Sequence, residues 1–199
     1  MFGSYVKKSV AGSLFFVCVV LSGVSHADDV IDSINEGLQY YKAGKYKDAV
    51  ESLNYASQII QQKKGKGLES FLPEPLQGWT AEAASSQAVP VYGGGITVER
   101  QYTKGSSTLS ISIITDSPMM QGVMMMFSNP MIASASGGQL AKIKRQKAII
   151  NFDAANRQGT IQIVVANRYL ITVDGDGVSK EDLKAYAEAI DFAGLTSLE

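Results

Sequence analysis

The soft-ligand chemistry open to this chain rests on methionine. The sequence holds one His and one Cys, His26 and Cys18, and both fall within residues 1–27. With that stretch removed, neither imidazole nor thiol remains, which excludes a Ser-His-Asp triad, a Cys nucleophile, disulfides and zinc sites of the His/Cys type. Apart from the initiator, every Met lies between Met119 and Met131. Thioethers favour Cu(I), and Met120, Met124 and Met131 are the three sulfurs that such a site would have to bring together. Two other readings suit the same segment. One is a buried helix filled with adaptable Met side chains; the other is a flexible apolar surface, including Met119 and Met126, for a partner protein, a membrane or a lipid-like ligand.

Other candidate groups carry less chemistry. Tyr92-Gly93-Gly94-Gly95 precedes a strand and lacks both a GxGxxG pattern and a phosphate-binding lysine,. Asp174, Asp176, Glu181 and Asp182 suggest calcium, but a twelve-residue loop would place Val178 and Ala185 at ligand positions, so a turn and a helix cap are expected,. Lys142, Lys144, Arg145 and Lys147 read as a charged strand edge that discourages strand addition. The carboxylates Glu74, Glu82, Glu99, Asp116 and Asp153 are scattered, with no spacing that predicts a catalytic pair. These patterns point away from catalysis, and a formal net charge of -1 gives no sign of nucleic-acid binding,.

The elements that position these groups fall into four stretches. Residues 1–27 read as a secretory signal: Lys7 and Lys8, an apolar run from Val10 to Val20, and Ser25-His26-Ala27 as a small-x-small cleavage site,. The apolar run is about half the ~20 residues that a spanning helix needs, so no transmembrane anchor is expected after cleavage, and the compartment is the periplasm or beyond. Residues 28–67 carry a helical period. Ile31, Ile34, Leu38 and Tyr41 mark one helix and Tyr46, Ala49, Val50, Leu53, Ala56 and Ile60 a second, broken by Ala43-Gly44-Lys45,. Lys63-Lys64-Gly65-Lys66-Gly67 looks like a solvated helix end and hinge. Residues 68–78, with Pro73 and Pro75, form a linker, and Trp79 is expected to anchor the core of the C-terminal region. From 79 to 199 period two dominates: Ile96 to Arg100, Leu109 to Ile113, Ala148 to Phe152, Thr160 to Val165 and Tyr169 to Val173,. Ser117 and Pro118 start a Met-rich helix that Pro130 ends. Ser179, with Asp182 three residues on, caps a last helix. The expected fold is α+β: a helical hairpin, then an antiparallel sheet with an inserted Met-rich helix and a C-terminal helix.

Through Gly37, Tyr40, Gly44, Tyr46, Ala49, Leu53 and Ala56 the hairpin resembles one tetratricopeptide repeat. It departs from that pattern at Ser33, where a large aromatic is usual, and at Gln61, where a closing Pro is usual. The resemblance implies that Gly37, Ala49 and Ala56 allow close approach while Tyr40, Tyr46 and Leu53 fill the gap between the helices. A single unit cannot bury its own faces, so it must lean on the rest of the chain, on a third helix through Leu68 and Phe71, or on another protein or a second copy. The sheet region is similar in element order to a PsbP-like sandwich. Phe71 to Trp79, the Met segment and Asp174 to Leu183 look like a group of exported proteobacterial proteins to which no activity is attached. The expected role is therefore a non-enzymatic interaction or adaptor module, with small-ligand or Cu(I) binding through residues 119–131 as the alternative.

Overall fold

The computed structural model describes residues 27–88, 95–117, 120–129, 131 and 137–198. Residues 1–26 of the expected signal, Pro118, Met119, Pro130, Tyr92 and the glycines at 93 and 94 lie outside them. Two helices open the described chain, α1 (Ala27–Lys42) and α2 (Tyr46–Glu69). The turn between them is a Schellman motif: Lys45 N–H donates to Tyr40 C=O at 2.9 Å and Gly44 N–H to Tyr41 C=O at 3.1 Å,. Gly44 takes the left-handed conformation that this cap needs, with φ +73°,.

The sheet is antiparallel throughout. Its strands are β1 (Thr80–Ala81), β2 (Ser85–Ala88), β3 (Ile96–Lys104), β4 (Ser107–Thr115), β5 (Gln139–Ile143), β6 (Gln146–Asp153), β7 (Gln158–Val165) and β8 (Tyr169–Asp176). The order across the sheet is β1-β3-β4-β8-β7-β6-β5. β2 pairs with the opening half of β3 and β1 with its end, so the two short strands make one interrupted edge. Helix α3 (Met120–Ser128) joins β4 to β5, and α4 (Lys180–Ala189) and α5 (Phe192–Ser197) close the chain. This is the expected α+β architecture.

Alternation assigns each strand residue to one of two faces. Val98, Tyr102, Leu109, Ile111, Ile113, Ile161, Ile163, Ile171 and Val173 form the main core with Leu183, Tyr186 and Ile190. Trp79 lies in this core, edge-on to Tyr186 with ring centroids 5.2 Å apart, and Tyr102 meets the same ring at 4.6 Å. The linker packs here too: Tyr102 donates to Pro73 C=O at 2.7 Å, and Tyr186 accepts from Leu76 N–H at 3.3 Å. On the opposite face, Met120 and Phe127 of α3 cover Ile149, Val164 and Leu170.

Three local expectations change. The hinge at Lys63–Gly67 is continuous helix, because α2 runs on to Glu69. There Gly65 is buried against β2, where an added Cβ would come within 2.8 Å of Ser86 Cβ. The small residue sets a close helix–strand approach rather than a break. The basic run is not one strand: Lys144 and Arg145, at φ +43° and +71°, form the two-residue turn between β5 and β6. The helix capped by Ser179 is not the last: a short α5 follows it, started by Asp191, whose carboxylate accepts from Gly194 N–H at 3.0 Å.

Candidate protein-docking surface

Each helix of the hairpin carries two seams. The inner one is made of small residues: Ser33 and Gly37 on α1, and Ala49, Ser52 and Ala56 on α2, all buried. Gly37 is where the two helices come closest, since a Cβ there would lie 2.9 Å from Leu53 Cγ and 3.3 Å from Ala49 O. The outer seam is made of large residues. On α1 it is Ile31, Ile34, Leu38 and Tyr41; on α2 it is Tyr46, Val50, Leu53 and Ile60. All eight are between 42% and 65% exposed.

The spacing of the outer seam is three-four-three on α1, and on α2 four-three then, through Ser57, four-three. That is the alternation of a coiled-coil a/d seam. The two stripes form one surface, because Leu53 leans over Gly37 and the Tyr41 and Tyr46 rings meet at 5.8 Å across the hairpin tip. The surface is therefore a filled ridge rather than a groove. No charged residue interrupts either stripe.

The reverse side of the hairpin is polar. Glu36, Tyr40, Asp48, Glu51, Ser52 and Tyr55 line a shallow hollow of about 400 Å³. Ser52 donates to Glu36 Oε2 at 2.9 Å, and Tyr40 donates weakly to Glu36 Oε1 at 3.4 Å. The Glu36 charge, with some burial, lifts the Tyr40 phenol above its usual pKa. Of the three residues expected to fill the gap between the helices, Tyr40 sits on this polar side, while Tyr46 and Leu53 belong to the outer ridge. Leu53 still reaches across to Gly37, and the small side chains beneath it set how closely the two backbones approach.

The arm's base is fixed to the sheet through α2. Leu68 is fully buried in the main core, and Gly65 lies on β2. Lys64 donates to Asp116 at the end of β4, and Arg168 Nε approaches the same carboxylate at 3.6 Å. Burial raises the Asp116 pKa, but the Lys64 hydrogen bond and charge, with Arg168, outweigh it and leave the carboxyl below its usual value. Among the described residues, helix α1 packs chiefly on α2.

The methionines are divided. Met120 is buried at 8% exposure, Met124 and Met126 are half-buried, and Met125 and Met131 are 67% and 81% exposed. Met120 and Met124 are one turn apart. Eight residues of helix, a rise of about 12 Å, separate Met120 from Ser128, and Met131 lies further on. Met120 and Met124 therefore share one side of α3, and Met131 follows the end of that helix. Among the described residues no group of three or more His, Cys, Asp or Glu is placed to hold a metal ion.

Two further hollows lie outside the hairpin. One of about 470 Å³ on the outer sheet face is bordered by Thr160 and Gln158, which donate to Asp174 Oδ1 at 2.5 Å and Asp176 Oδ1 at 2.9 Å. These aspartates serve the strand ends, and Asp182 serves the α4 cap, where Ser179 and Asp182 exchange both capping-box bonds. The other, of about 260 Å³, lies between Lys144 and α5. Among the described residues no helix is long and apolar enough to cross a membrane.

The spacing alone contains the signal for the ridge, in the two parallel sets 33/37 and 31/34/38/41. Which set faces inward becomes visible only when side-chain size is weighed: the small set allows the closer approach. Comparison with protein-family models, with curated proteins and with solved structures found no match for the chain.

Proposed function

We propose that this protein is a non-enzymatic interaction or adaptor module of the periplasm or secreted space, and that the outer ridge of the hairpin is its docking surface. The observation that carries the reading is the exposure of eight large apolar side chains on an arm whose outer side nothing in the described chain covers. Monomeric soluble proteins rarely present a contiguous apolar patch of more than a few hundred Å² unless it binds something. The a/d spacing selects a helical partner, because knobs at these positions fit the holes of another helix. The single-repeat resemblance agrees with such a role. The leader supports export, which predicts a purified exported chain that begins at Asp28.

Site-specific photo-crosslinking in cells tests the docking reading. A photoreactive residue at Val50 is expected to give an adduct of discrete mass, whereas the same residue at Lys184, on the exposed side of α4, gives none. No adduct at Val50 or at Leu38 overturns it.

A further inference from the structure

Resting on that docking reading, we propose that the occupant of the ridge is a second copy of this chain, the two hairpins closing into a four-helix bundle. Three observations single out a copy. The first is area. The eight seam side chains expose on the order of 800 Å² together, which is what each partner contributes to a standard-size interface,. The second is shape. Leu53 and the Tyr41–Tyr46 pair fill the furrow between α1 and α2, so a lone helix finds no groove and covers one stripe at most. A flat pair of helices covers both, and two a/d-seamed hairpins face to face give the interdigitated core of an antiparallel bundle. The third is charge. Neither stripe carries a charged residue, so a two-fold axis through the ridge brings no like charges together within the stripes. Such isologous pairing is the commonest closed assembly.

The arm's construction agrees with this. Among the described residues, the base of α2 makes the attachment to the sheet, through Lys64, Gly65 and Leu68, and the ridge lies on the part of the hairpin beyond it.

The test is the mass of the exported, purified protein by size-exclusion light scattering. The wild type is expected at twice the chain mass at tens of micromolar. Val50→Glu and Leu38→Glu, both at exposed positions, are expected to weaken the dimer at least a hundredfold, with circular dichroism unchanged. Tyr46→Lys serves if either variant loses helix. Lys184→Glu leaves the dimer intact. A monomeric wild type that still gives a Val50 photo-adduct with a different protein overturns self-pairing and leaves the docking reading standing. A dimer indifferent to all three ridge variants overturns the ridge as its interface. A monomer with no adduct overturns both readings.

Discussion

The sheet region and the hairpin arm place large apolar side chains in opposite ways. In the sheet region they face inward: Leu109, Ile111, Ile163, Leu183 and Tyr186 are almost wholly buried. In the arm the small residues face inward and the large ones outward. Helix α2 contains both regimes, with Val50 and Leu53 open to solvent at one end and Leu68 fully buried at the other. The difference teaches that the arm is held by close backbone approach and the sheet region by area removed from water. A substitution should therefore mean different things in the two places.

The largest expected effect lies in the core. Leu183→Ala should cost about 2–5 kcal/mol, the usual range for a buried Leu truncation, because its side chain sits between α4 and the strands at no exposure. Leu53→Ala in the monomer should cost less, about 1 kcal/mol, because the side chain packs over Gly37 yet is 46% exposed. Urea denaturation of both variants, at a protein concentration at which light scattering shows monomer, checks the contrast. Equal losses would mean that the ridge is buried in the folded chain and would break the comparison.

Next comes Gly65→Ala, at the junction. A Cβ there meets Ser86 Cβ at 2.8 Å and Ser86 Oγ at 2.9 Å, so α2 must move off β2 at a cost of about 1–3 kcal/mol. The loosening should show as faster amide exchange in the last turns of α2, with exchange in β7 and β8 unchanged. Uniformly faster exchange would instead make arm and sheet one cooperative unit.

Local capping comes third. Ser179→Ala removes the acceptor for Asp182 N–H, 3.0 Å away, and should cost about 1 kcal/mol. The loss should register in the sheet region's unfolding and leave the arm's exchange rates alone.

The capping box is legible in the sequence because it is local: Ser179 and Asp182 stand three residues apart, and no distant contact decides whether they meet. The seams of the hairpin are legible as periods. Period does not say what covers a face: Tyr46 and Leu53 do touch the facing helix, yet both remain largely exposed. Gly65 and Gly67 read as a hinge because glycine weakens a helix by ~1 kcal/mol; packing of α2 on β2 overrides that preference. The β5–β6 turn is hidden because Lys144-Arg145 adopts positive φ without the Asn or Gly that usually announces such a turn,. The dimensions of β1 and β2, two and four residues, leave almost no alternation to read.

The smallest effect tests the bond between the two regions. Asp116 carries a depressed pKa: burial pushes it up, and Lys64 on α2 together with Arg168 on the β7–β8 turn push it further down. A carboxyl whose folded pKa lies below its unfolded value of about 3.9 stabilises the fold above that pH. The contribution is lost as the pH falls through the folded value. Its side chain is 44% exposed, so the solvent-screened gain is at most about 1 kcal/mol. Asp116→Asn should therefore lower stability slightly at pH 7, and the gap to the wild type should narrow as the pH falls below about 3.9. Asp153 and Asp182 also have depressed values and make the wild type lose stability in acid on their own account. The difference between the two proteins, rather than either curve, isolates Asp116. Urea titrations at pH 7 and pH 3 measure it. A gap that stays constant across that range would mean that the ionised carboxylate does not tie the arm to the sheet, leaving Gly65 and Leu68 to hold the junction by packing alone.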